Sequence, residues 1–213
     1  MSENRISFEE IRVMKQEDKE KLLRTIEQEA CDNEIKYWGC SQAVLDTLQR
    51  HLKIGNGDTF KAATAFAGGI ASNREACGAL VGCVMAIGLA YGRTKYEAGK
   101  IGPEQADLVE CSIRARKFCD RFRESLGGLR CSEVRAVLGF DPKVKEVKLT
   151  PETFKDHEKC GQVTGTAARL ATEIILEPLE IYVTQIKASV DMVTQFRKHL
   201  AAEDSDSRSY PGL

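Results

Sequence analysis

The sequence predicts an all-α fold: a multi-helix bundle with a buried, glycine-containing central helix and a long C-terminal helical extension. Three observations carry this. Apolar residues recur at helical three- and four-residue spacing through most of the chain. Glycine and proline clusters punctuate those stretches as stop and restart signals. The segment Gly78 to Ala90 is almost wholly apolar, too long for an ordinary strand and too short to span a bilayer, which reads as a buried helix.

Taken in order, residues 1–16 form at most an amphipathic arm packed on the body. From Gln16 to about Asn33, Leu22, Leu23, Ile26 and Ala30 mark one helical face, which Tyr37-Trp38-Gly39-Cys40 breaks. Ser41 to Leu52 is the next helix, burying Ala43, Val44, Leu45, Leu48 and Leu52. Gly55-Asn56-Gly57-Asp58 stops and restarts the chain, with Asp58 the expected N-cap of a short helix from Thr59 to Ala67 that ends at Gly68-Gly69. The central helix follows Cys77. Its residues Gly78, Ala79, Gly82 and Gly88 sacrifice helix propensity or bulk, so close approach to that backbone is expected. Tyr91-Gly92-Arg93 closes it, and a loop runs to Gly102-Pro103.

Pro103 suits a first helical turn, with Glu104 and Asp107 near its positive end. That helix reaches about Leu126 with the stripe Leu108, Cys111, Ala115, Phe118, Cys119 and Phe122, and Gly127-Gly128 ends it. A brief helix from Ser132 to Leu138 follows Cys131 and is stopped by Gly139 and Pro142. Residues 143–159 read as charged loop, with Pro151 and Glu152 opening at most one turn. Cys160-Gly161 is expected to begin the final helical region, interrupted at Pro178. Beyond it Leu179, Val183, Ile186, Val190, Val193 and Leu200 keep a near-heptad spacing broken by Arg197. The resulting division is a cysteine-containing helical domain at 1–165 and a helical extension at 166–200. The extension either packs on that domain or mediates a homodimer, and residues 201–213 are a polar tail expected to be disordered.

Thirty-one basic and thirty-two acidic residues leave a net charge of −1, so neither a nucleic-acid nor an anionic membrane surface is indicated. The start Met1-Ser2-Glu3-Asn4-Arg5-Ile6-Ser7 has no secretory signal pattern and no segment reads as membrane-inserting, so a cytoplasmic protein is expected. Eight cysteines are many for a reducing compartment, and none is paired as Cys-x-x-Cys, which disfavours zinc knuckles and a thioredoxin-like dithiol.

Local context divides the cysteines. Cys40, Cys77, Cys131 and Cys160 are each followed by Ser or Gly and are expected at helix starts. There backbone N–H groups and the positive dipole end favour a thiolate or a bound sulfide. Cys31, Cys83, Cys111 and Cys119 lie within helices and read as small core residues. His157 is a candidate donor three residues before Cys160, but Asp156 and Glu158 suggest an exposed loop. His51 and His199 stand near helix ends, where dipole interactions suffice. Tyr37 and Trp38 either shield a centre at Cys40 or anchor the core, and Arg74-Glu75 reads as solvated loop charge or as thiol-tuning. No nucleotide-binding glycine motif, Ser-His-Asp arrangement or carboxylate pair stands out.

Gly39-Cys40-Ser41-Gln42-Ala43, then Cys77-Gly78-Ala79-Leu80-Val81-Gly82, then single cysteines at 131 and 160, resemble the C-GCAxxG-C-C family, whose members are described as redox-active. The resemblance spans roughly Leu22 to Gly165 and implies a helical domain that is redox-active or cofactor-binding, without naming a substrate.

Three chemistries follow. Cys40, Cys77, Cys131 and Cys160 bind a metal centre, foremost an iron–sulfur cluster for electron transfer or redox sensing, with Gly78 letting backbone approach inorganic sulfide. Alternatively, Cys77 and Cys40 are metal-free redox thiols that need no cofactor. The third is a helical interaction module whose partner docks on Leu179 to Leu200. In the first two, the redox partner is unknown.

Overall fold

The computed structural model describes the backbone of residues 10, 11, 13–95, 103–140 and 151–206, and side chains within 10, 11, 13–95, 106–140 and 157–195. Most of the expected N-terminal arm, the loop before Pro103, the charged stretch at 143–150, the Pro142 stop and the last seven residues lie outside this set. So do the side chains of Arg197, His199 and Leu200.

Eight α-helices appear among the described residues: α1 Gln16–Tyr37, α2 Cys40–Leu52, α3 Gly57–Ala62, α4 Gly78–Tyr91, α5 Pro103–Leu126, α6 Cys131–Val137, α7 Pro151–Ile175 and α8 Val183–Asp206. Short 3-10 turns, Ala63–Phe66 and Leu179–Ile181, follow α3 and precede α8. None of these helices is long and apolar enough, over the described residues, to cross a membrane.

Helix α4 is the central element, with Ala79, Cys83, Ala86 and Ile87 wholly buried among α2, α5 and α7. Its glycine spacing explains how tightly it packs. A Cβ on Gly78 would overlap the Cys40 sulfur, and one on Gly82 would overlap the Ser41 carbonyl oxygen. Gly88 has open space instead, so the expectation of close approach fails there. A second Gly-x-x-x-Gly pair does the same at the α1–α7 contact. A Cβ on Gly161 would lie 2.8 Å from Ile35, and one on Gly165 would lie 2.5 Å from the Glu27 carbonyl. Small residues one helical turn apart thus let two helix pairs approach almost backbone to backbone, and each tight crossing lies beside a cysteine.

Helix ends differ from expectation in four places. Asn56, not Asp58, caps α3, its side chain accepting from the Thr59 N–H at 3.0 Å. Helix α3 stops at Ala62, and the chain tightens to 3-10 geometry before reaching Ala67. Residues 151–159 are helical rather than loop, because α7 begins at Pro151 and runs unbroken through 165 and 166 to Ile175. Cys160 therefore sits inside a helix, not at its start. At the other end α8 continues to Asp206, so 201–206 are helix rather than disordered tail.

The α7–α8 junction is held by Arg114, wholly buried on α5. Its guanidinium lies 4.1 Å from the ring centroids of both Tyr91 and Tyr182. Nη1 donates to the carbonyls of Ile174 at 2.8 Å and Glu177 at 3.1 Å, the exposed end of α7. Nε donates to Glu110 at 2.8 Å, and Nη2 stands 2.7 Å from the same carboxylate as an ion pair without hydrogen-bond alignment. Past this junction, no described side chain of α8 from 183 to 195 is buried.

Candidate functional site

Four segments deliver one cysteine each to a single cavity of about 260 Å³: Cys40, Cys77, Cys131 and Cys160 all line it. All eight cysteines are free thiols.

Cys40 is placed by a sharp reversal after α1. Trp38 takes a left-handed backbone (φ 57), Gly39 is extended, and α2 begins at Cys40 itself. The buried Glu34 carboxylate accepts the Gly39 N–H at 2.9 Å and fixes the turn. Burial pushes the Cys40 thiol well above the usual range, Glu34 adds to this, and the Gly68 N–H directed at the sulfur opposes it.

Cys77 is the N-cap of α4, and Cys131 is the first residue of α6. An isolated antiparallel bridge between Ala76 and Arg130 brings the two together. Cys77 donates its N–H to the Leu129 carbonyl at 2.9 Å, and Cys131 donates to that of Glu75 at 2.6 Å. This pattern makes Cys77 and Cys131 diagonal neighbours across the bridge. Glu133 secures the start of α6 by accepting the N–H groups of Leu129 and Arg130, each at 2.9 Å.

Helix α4 does direct its Ala79 and Leu80 N–H groups to the Cys77 sulfur, as its N-terminal position predicts. They do not make a thiolate. Burial is the larger effect and pushes this thiol up to about 11, which corrects the expectation drawn from the helix dipole. Cys160, supplied by the interior of α7, is pushed up to about 12, again by burial first and Glu34 second, against the opposing Arg135 charge.

The wall between Ala67 and Ala76 is the feature least visible in the sequence. Gly68, Gly69, Ile70, Ala71 and Ser72 all have positive φ, from 49° to 77°, and Arg74 follows at 65°. Five consecutive left-handed residues make a reversed turn, closed by bonds such as Ala71 N–H to the Ala65 carbonyl at 2.7 Å. Each non-glycine member costs roughly 1–2 kcal/mol, and for the β-branched Ile70 the conformation is an outlier. The turn packs directly on the site: a Cβ on Gly69 would come within 2.6 Å of the Cys131 Cβ. Backbone strain of this kind persists where surrounding contacts enforce it.

Polar side chains complete the lining. His157 is on helix α7 rather than an exposed loop, and stacks on Trp38 with ring centroids 4.4 Å apart and planes 5° apart. Its Nδ1 is buried 3.7 Å from Glu34 Oε1 and has no hydrogen-bond partner among the described residues. Tyr37 points outward, so Trp38 alone of that pair faces the cavity. Arg74, Ser72 and Arg135 also contribute. Glu34, Arg135 and the left-handed turn were not anticipated. The available signals were Arg135 standing four residues after Cys131, hence on the same helical face, and the glycine pair at 68–69. His51 is elsewhere, 2.6 Å from Glu29 and away from any cysteine in the cavity.

Among the described residues, no group of three or more His, Cys, Asp or Glu side chains is arranged to hold a metal ion. The four sulfurs share a cavity without closing into a ready cage.

A helical bundle that turns four free thiols from four segments into one partly enclosed cavity defines a cysteine-centred helical protein. A family model described as "Putative redox-active protein (C_GCAxxG_C_C)" matches residues 38–174, and the chain belongs to that family. The matched span contains all four cavity cysteines and ends one residue short of the end of α7. No curated protein and no solved structure matches the chain.

Proposed function

We propose that Cys40, Cys77, Cys131 and Cys160 are the thiolate ligands of an iron–sulfur cluster and that the protein carries or senses electrons through it. The observation that supports this reading is the meeting of four sulfurs, and of no other cysteine, around one cavity of about 260 Å³. When bound, such a cluster supplies one-electron transfer.

The donor set and its surroundings fit a polynuclear core better than a single ion. Four sulfurs from separate segments line one cavity yet are not arranged around a single ion, and a polynuclear core takes its thiolates on separate metal atoms. Gly78 leaves the Cys40 sulfur room against the start of α4, while the N–H groups of Gly68, Ala79 and Leu80 already face cysteine sulfur. Burial raises the thiols of Cys40, Cys77 and Cys160, which makes those three poor nucleophiles and weighs against thiol–disulfide exchange through them. Coordination instead removes the proton outright.

Anaerobic reconstitution with iron and sulfide tests the reading. The expected result is a brown protein with bound iron and acid-labile sulfide, lost in Cys77→Ser and kept in Cys119→Ser. A colourless product without iron sinks the proposal. If diamide then closes a disulfide that includes Cys77, the dithiol alternative replaces it.

A further inference from the structure

The cavity carries more positive charge than its thiols require. Arg74 and Arg135 both line it, whereas Glu34 is the carboxylate among its described lining residues. Among the described residues, neither guanidinium is ion-paired with a carboxylate. Arg135 is held through its side chain and Arg74 through its backbone. Arg135 stands one turn beyond Cys131 on α6, and its guanidinium lies 3.8 Å from the ring centroid of the buried Phe140. Arg74 is tied by its backbone: its N–H donates to the Gly68 carbonyl at 3.2 Å, and its own carbonyl accepts the Ser132 N–H at 3.1 Å. Its left-handed φ of 65° is therefore enforced by the same contacts that place Cys131.

Two cations beside the raised thiols of Cys40, Cys77 and Cys160 have little to neutralise. Four thiolates around an iron–sulfur core would leave net negative charge in a partly enclosed space, where burial of an unpaired charge is expensive. We infer that Arg74 and Arg135 hold the negative charge of the four-thiolate centre and thereby set its reduction potential. The inference rests on the iron–sulfur reading above.

The sign follows from electrostatics. Reduction adds a negative charge, so removing a nearby cation makes reduction harder and the midpoint potential falls. The test compares wild type, Arg74→Gln, Arg135→Gln, the double variant and Arg135→Lys, each reconstituted anaerobically and assayed for iron, sulfide and midpoint by a titration followed in absorbance. The expected result is wild-type cluster content in the single variants, a lower midpoint in each, the lowest in the double variant, and recovery in Arg135→Lys. Full cluster content with an unchanged midpoint overturns the inference while leaving the cluster reading intact. A wild-type chain that takes up no iron overturns both. If Arg135→Gln folds, by circular dichroism, yet loads no cluster, recovery of loading in Arg135→Lys supports the charge role, and continued loss overturns it.

Discussion

The molecule buries polar groups in two places and treats them in opposite ways. At the α7–α8 junction, Arg114 is wholly enclosed, yet its charge lies between two tyrosine rings, against Glu110 and on two helix-end carbonyls. Glu177 there also receives Lys117 at 2.7 Å and the Tyr182 hydroxyl. At the cysteine cavity burial pushes the thiols of Cys40, Cys77 and Cys160 up, a buried histidine nitrogen lacks a hydrogen-bond partner, and three successive non-glycine residues adopt a left-handed backbone. The first region pairs its buried charge with a carboxylate, two rings and two carbonyls, leaving only Arg114 Nη2 out of hydrogen-bond alignment, and is structural. The second leaves the His157 nitrogen without a hydrogen-bond partner and holds non-glycine residues in a costly backbone conformation, which is where the proposed centre would sit.

The largest effect expected from this contrast is at the junction. Arg114→Met strands Glu110 and the carbonyls of Ile174 and Glu177, and is expected to cost about 3–5 kcal/mol, as for other broken buried pairs. A urea midpoint measures it; a loss below 1 kcal/mol would show that the junction is not the satisfied region described. The next effect separates glycines that look alike in sequence. Gly82→Ala drives a methyl into the Ser41 carbonyl and is expected to cost about 1–3 kcal/mol. Gly88→Ala meets open space in the same helix and is expected to stabilise it by about 0.5–1 kcal/mol. Equal effects at both positions would remove the close α2–α4 crossing as the reason for the spacing.

How much of this was legible in the chain depends on whether a local pattern or a tertiary contact made the decision. The helix stripes of α1, α2 and α5 were readable because a buried face repeats at helical spacing, and α4 because its apolar run is too long for a strand; Leu45, Leu48 and Phe118 do lie buried as that spacing requires. Cys40, Cys77 and Cys131 were found by one local rule, a chain entering a helix. Cys160 was found by the same rule for the wrong reason. The glycine after it does not start a helix but fits against Ile35 and the Cys31 carbonyl of α1. The run around His157 looked like loop because charges surround it, whereas the stack on Trp38 is a contact between residues far apart in sequence. Nothing in Ile70-Ala71-Ser72 announces left-handed backbone, since these residue types avoid it.

A smaller effect is expected at His157. Replacing it with phenylalanine keeps an aromatic stack on Trp38 and removes the nitrogen that has no partner. In the metal-free protein, His157→Phe is therefore expected to be neutral or stabilising by about 1 kcal/mol. A loss above 2 kcal/mol in a thermal or urea melt would mean that the nitrogen is satisfied and that the two regions do not differ as described.

The smallest effect at neutral pH belongs to the thiols themselves and emerges only in alkali. In an unfolded chain a cysteine titrates near 8.5, while burial holds Cys77 at about 11 and Cys160 at about 12. Below pH ~8.5 both folded and unfolded chains keep these protons, and the contribution is fully present. Above that, the unfolded chain releases its protons first, so stability falls as pH rises towards the folded-state values. The urea midpoint of the metal-free protein should therefore decline from about pH 8.5 upward, more steeply in wild type than in Cys77→Ser, which has one fewer raised thiol to lose. Parallel curves would mean that the Cys77 thiol meets water freely when folded. The cavity would then be as well served by solvent as the junction is by protein, and the proposal that it takes up a charged centre would lose its physical basis.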